Sequence, residues 1–86
     1  MKFEFDPAKS ASNKLKHGLD FVEAQELWNG RIFESSAISF AEPRKLVIGK
    51  IEGKHWTAVV TERGESLRII SIRRSRDKEV EIYENR

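Results

Sequence analysis

Apolar positions change period along this chain. Phe3 and Phe5 alternate with Lys2 and Glu4, which predicts a short strand over residues 2–5. Asp6-Pro7 then opens a helix, because Asp6 can accept from free amides and Pro7 fits the first helical position. Ala8, Ala11 and Leu15 follow helical spacing, Lys9, Lys14 and Lys16 look outward, and Gly18 stops the element. A second helix begins at Asp20, with Glu23 placed for a capping box and Phe21, Ala24, Leu27 and Trp28 as its buried stripe. It ends at Asn29-Gly30.

From there the pattern alternates. Strands are expected over residues 31–40, 45–51, 55–61 and 66–73, with turns at Ala41-Glu42-Pro43, Glu52-Gly53-Lys54 and Glu62-Arg63-Gly64-Glu65. Close spacing and β-branched residues favour an antiparallel meander joined by hairpins. Ser75 is expected to cap a last helix that buries Val80 together with Ile82 or Tyr83. The order predicts one α+β domain over residues 1–86. Two N-terminal helices and one C-terminal helix would pack on an antiparallel sheet of three to four strands.

Composition narrows the chemistry. With 86 residues and no cysteine, the core is modest and neither disulfides nor a cysteine-bound metal supplements it. His17 and His55 lie far apart in sequence and define no metal site, so no cofactor is expected. The absence of a signal peptide or a bilayer-length apolar run points to a cytoplasmic protein with no membrane role. Net charge is only +2, but residues 43–78 carry ten basic and four acidic side chains, for +6, while residues 1–42 and 79–86 each carry −2. A basic block between acidic ends suits a localised polyanion site.

That block ends in the densest chemistry of the chain: Arg68, Arg73, Arg74 and Arg76 at the close of a strand. Arginine offers a planar, permanently charged fork that fits phosphate oxygens. Alternation on an ideal strand would set Arg68 and Arg74 on one side and Arg73 on the other, and a pairing of one arginine with Glu79 or Glu84 is the structural alternative. RNA can be cleaved by attack of its own 2′-hydroxyl, which requires proton removal, stabilisation of the phosphorane charge and protonation of the leaving oxygen. Arginines suit the second task. Glu62, His17, His55, Tyr83 and lysines are available for the others, and no histidine pair assigns them. Lys50 and Lys54 flank one hairpin turn and could extend a phosphate track.

Three segments together resemble the BrnT family of toxins of bacterial type II toxin–antitoxin systems: Phe3-Glu-Phe-Asp-Pro-Ala-Lys9 with Asn13 and Lys16-His17-Gly18; Phe21-Val-Glu-Ala24; and Thr61-Glu-Arg-Gly64 with Arg68-Ile-Ile-Ser71, Arg73-Arg74, Glu79 and Tyr83-Glu84. Residues 29–57 match only through a general strand pattern. The resemblance implies a RelE-like fold, a ribonuclease that suppresses translation, and neutralisation by a cognate BrnA-type antitoxin with a ribbon-helix-helix DNA-binding part. Promoter DNA would be bound only by the toxin–antitoxin complex. With the resemblance added, the candidate catalytic residues are Arg68, Arg73, Arg74, Arg63, Glu62, Tyr83 and His17, and the candidate RNA contacts are Lys50, Lys54 and Arg76. A non-catalytic module that binds nucleic acid or protein through the same basic surface is the alternative.

Overall fold

A computed structural model describes residues 1–37 and 43–85. It is an α+β fold on a five-stranded sheet in the order β1-β5-β4-β3-β2, from β1 (Lys2–Glu4), β2 (Phe33–Ala37), β3 (Arg44–Ile51), β4 (Lys54–Arg63) and β5 (Ser66–Arg74). The expected antiparallel sheet of three to four strands is therefore corrected. β2 to β5 form an antiparallel meander, but β1 joins the same sheet parallel to β5, with Phe3 opposite Leu67, and makes it mixed. The intervening helices carry the chain across the sheet, as parallel pairing requires. Most of the turn expected at Ala41-Glu42-Pro43 lies outside the described residues. No helix among the described residues is long and apolar enough to cross a membrane.

The first helix is α1 (Pro7–His17), capped by Asp6, whose carboxylate accepts from the Ala8 amide at 2.8 Å, and ended by Gly18 at φ +97°. Its inward face differs from the expected one. Ser10 and Asn13 are buried, whereas Leu15 is 89 % exposed. The reason is polar. β1 pairs with β5 only up to Arg68, so the β5 backbone farther on needs other partners. Asn13 supplies them: its Nδ2 donates to the Ile72 carbonyl at 2.7 Å and its Oδ1 accepts from the Ile72 amide at 3.3 Å. Ser10 Oγ accepts from the Phe21 amide.

The second helical segment is not the α-helix expected from Asp20. Asp20 and Glu23 make the predicted reciprocal bonds, but Glu23–Asn29 is a 3-10 helix. Phe21, Ala24 and Leu27 recur every three residues and are all but fully buried, and a three-residue turn aligns them on one line. They pack on Val47, Trp56, Ala58, Val60, Ile69 and Ile72, the apolar face of the sheet.

The last helix, α2 (Asp77–Glu84), lies on the opposite face. Ser75 does not cap it; its hydroxyl bonds Thr57 Oγ1 at 2.8 Å, and Glu79 reaches back to the Arg76 amide at 2.8 Å. Tyr83 and Glu79 are buried, while Ile82 is 40 % exposed.

Candidate nucleic-acid interface

Alternation along β5 is broken once. Val59 pairs with Ser71 but Val60 pairs with Ile69, so Ile70 is an extra residue, a β-bulge. The bulge moves Arg68 to the face it would not occupy on a regular strand. Ile69 and Val60 face the apolar core; Arg68 and its partner Thr61 therefore face the α2 side, as do Arg73 and its partner Thr57. Arg74, opposite Trp56, lies on the apolar side. The grouping expected from ideal alternation, Arg68 with Arg74, is replaced by Arg68 with Arg73.

Arg73 is locked. Its Nη1 and Nη2 donate to Glu79 Oε1 and Oε2, both at 2.8 Å, and Thr57 Oγ1 adds a donor to the same carboxylate at 3.0 Å. Arg73, with the Arg76 amide and Thr57 also donating, holds the Glu79 carboxyl down at about 2 against burial, and the same pairing raises Arg73. This fork welds α2 to the sheet and leaves Arg73 little freedom to meet a ligand.

Farther along the same face, away from α2, lies a row formed by register: Arg44, Thr61, Arg68 and Glu4, from β3, β4, β5 and β1. Arg63, opposite Ser66, is the diagonal neighbour of Arg68, about 7–8 Å away. Arg44 stands two strands from Arg68, about 10 Å. Arg68 is half-buried and its Nη1 meets Glu4 Oε1 at 3.5 Å, a long pair that a phosphate can replace. Arg44 Nε is buried and has no hydrogen-bond partner among the described residues. Sequence reasoning named Arg63 and Arg68 and missed Arg44. Its only signal was membership of the basic block, because strand register is invisible in sequence.

The other candidates lie elsewhere. Glu62 is on the apolar side of the sheet and pairs with Lys45 at 3.2 Å, so it does not meet the arginine row. Tyr83 is buried, its hydroxyl donating to the Arg31 carbonyl at 2.9 Å. The Arg31 guanidinium stacks on its ring at 4.2 Å. Lys50 pairs with Glu84 at 3.3 Å, and the same carboxylate bonds His55 Nε2. His55 first and Lys50 second hold the Glu84 carboxyl below the usual range. Arg76 is exposed at the start of α2. His17, Lys54 and Arg74 come together with Trp56 in a cleft at the other end of the sheet, about 20 Å from Arg68 by strand length. Among the described residues, no three His, Cys, Asp or Glu side chains group as metal ligands.

Fold and surface thus define a class: a small α+β protein whose mixed sheet is covered by helix on one half of a face and carries arginines on the other. A family model described as ribonuclease toxin, BrnT, of type II toxin-antitoxin system matches residues 5–79. The chain belongs to that family. It is a toxin of the ribonuclease kind, which implies RNA as substrate, and a type II system implies a protein antitoxin as partner. A search of curated proteins finds no match to the chain.

Proposed function

We propose that this chain is a metal-independent endoribonuclease whose RNA lies across the sheet beside α2, with Arg68, Arg63 and Arg44 around the scissile phosphate. The convergence of these three side chains on one face, brought about by the bulge at Ile70, carries the reading. A phosphorane gains negative charge on its equatorial oxygens, and fixed guanidinium donors stabilise that charge more than they stabilise the starting diester. Arg44 Nε is buried, so its terminal guanidinium nitrogens are the groups that would meet such an oxygen. When phosphate displaces Glu4 from Arg68, the freed carboxylate stands next to the row to take the 2′-hydroxyl proton. Arg73 acts by position, through α2, and Lys50 and Arg76 lie at the α2 end of the sheet, away from the row.

The chain acts in the cytoplasm as a single domain over residues 1–86. A BrnA-type antitoxin with a ribbon-helix-helix part neutralises it, and promoter DNA is met only through that complex. The test is induction of the chain alone beside Arg68→Ala and Arg63→Ala, with RNA from each culture sized. Wild type should arrest growth and fragment RNA, and each variant should lose at least about a hundredfold in cleavage while remaining folded. Undiminished cleavage in both variants overturns the site. Salt-sensitive RNA binding by wild type with all RNA intact would identify a non-catalytic binding module instead.

A further inference from the structure

The cleft at the far end of the sheet has a composition that its structural role does not require. It lies between the C-terminal end of α1 and the β3–β4 turn, encloses about 350 Å³, and is lined by His17, Leu19, Ile51, Lys54, Trp56 and Arg74, with Gly18 and Glu52 at its rim. Its floor is apolar: Trp56 is only 7 % exposed and belongs to the core. Its walls are cationic. Arg74 lies over the Trp56 ring at 5.6 Å, with Nε donating to the His55 carbonyl at 3.3 Å, which aims the rest of the fork outward.

Outside the cleft, Lys14, Lys45, Lys50, Arg68 and Arg73 each meet a carboxylate, and the lysines without an ion pair among the described residues, such as Lys9, Lys16 and Lys78, stand on helices rather than around a cleft. In the cleft, neither Lys54 nor Arg74 has an ion pair among the described residues, and His17 has no hydrogen-bond partner there. The nearby carboxylate, Glu52, pairs with neither. Two unpaired cations and an imidazole around an indole edge make a surface that a nucleotide can recognise: phosphate on the cations, base against the guanidinium plane of Arg74. Gly18 makes the turn beside the cleft: its left-handed φ of +97° suits glycine, and a Cβ there would meet Trp56 Cη2 at 4.0 Å, an ordinary contact.

We propose that this cleft is a second RNA subsite, holding a phosphate-bearing nucleotide several residues along the strand from the one cut on the arginine row. The inference rests on the ribonuclease reading and extends it. The strand would leave the α2 face at the exposed Arg76 and turn round the end of the sheet to reach Arg74 on the apolar side, a path of about 20 Å or more from Arg68, which falls in the range of 4–16 nucleotides that small single-strand-binding folds cover.

The test is affinity for an uncleavable 2′-O-methyl RNA of about ten nucleotides, by fluorescence anisotropy across a salt series. The proteins are wild type, Lys54→Glu and Arg74→Gln. Lys54 lies exposed at a turn, so its variant folds even if Arg74→Gln does not. Lys54→Glu should bind about tenfold more weakly, with a salt slope shallower by about 0.7 for each phosphate that the variant no longer neutralises. Wild-type affinity and slope in Lys54→Glu would overturn the subsite, and if wild type still cuts unmodified RNA the ribonuclease reading survives that result. Wild type that neither binds nor cuts RNA removes both. Loss of antitoxin binding in Lys54→Glu with RNA affinity unmoved would assign the cleft to a protein partner and overturn the proposal.

Discussion

Replacing Arg73 with alanine should destabilise the protein before it touches any chemistry. The change leaves the Glu79 carboxylate buried, with Thr57 and the Arg76 amide as its remaining donors. Two routes give the size. Removing one partner of a buried ion pair costs about 3–5 kcal/mol. Separately, the Glu79 carboxyl is pulled from its ordinary 4.5 to about 2, which at 1.36 kcal/mol per pH unit is about 3 kcal/mol shared among all its donors. Arg73 keeps a side-chain exposure of 20 %, so about 2–3 kcal/mol is the expectation. That is a large share of the about 5–15 kcal/mol that holds a small domain together.

The pH dependence follows with its sign. A depressed folded-state pKa contributes stability that is present above the unfolded value near 4.5 and is lost as pH falls through about 2. Urea unfolding followed by far-ultraviolet circular dichroism at pH 7 and pH 3 reads both effects. Wild type should lose stability between the two pH values, and Arg73→Ala should be weaker at pH 7 and lose less on acidification. An Arg73→Ala unfolding free energy within about 0.5 kcal/mol of wild type at pH 7 would refute the clamp and return Arg73 to the candidates for direct RNA binding.

Two further substitutions probe the frame. Asn13→Ala strips the Ile72 amide and carbonyl of their side-chain partner in a buried setting, and should cost about 2–3 kcal/mol in the same urea assay, with no change if water replaces the amide. Gly49→Ala would set its Cβ 2.8 Å from Leu27 Cδ2 and 3.3 Å from Ile32 Cγ2. Because Leu27 is fully buried, about 1–3 kcal/mol of overpacking should appear as a lower melting temperature, whereas an unchanged one would mean the 3-10 helix can shift.

What the sequence reveals depends on whether a feature is local. The Asp6 cap, the Gly18 stop and the Asp20–Glu23 reciprocal bonds involve neighbours in the chain, and each is found where the residues predict it. The parallel seat of β1 is a pairing across more than sixty residues, as Phe3 meets Leu67, and no local pattern carries it. The face of α1 is misread for a related reason. Apolar spacing selects Ala8, Ala11 and Leu15, yet the bare backbone of β5 selects Ser10 and Asn13, because an unpaired buried amide costs more than an exposed leucine. The Phe21-Ala24-Leu27 stripe is read correctly as buried, but the same three-residue period also fits a 3-10 helix. At the site, residue type identifies arginines suited to phosphate. Which of them share a face turns on one unpaired residue, Ile70, with no signature of its own.

The length and anchoring of α2 explain why part of that face lies beyond it. Glu79 in its first turn is fixed to Arg73 on β5 and Thr57 on β4, while Glu84 at its end is fixed to His55 on β4 and Lys50 on β3. The helix therefore crosses the sheet from β5 to β3 near the β3–β4 turn. Its eight residues span about 12 Å, against about 33 Å for the ten residues of β4. Val59, Thr61 and Arg63 fall past its reach, and with them Arg44 and Arg68. Had the clamp arginine stood at position 71, the helix would lie over Val59 and crowd the row. Serine at that position is small, so the surface it shares with Val59 and Leu46 between clamp and row stays low. Arg73 and Arg68 thus divide the work of one face: one arginine is committed to a carboxylate so that α2 stays put, and the other, five residues away beyond a bulge, keeps a long, exchangeable pair with Glu4.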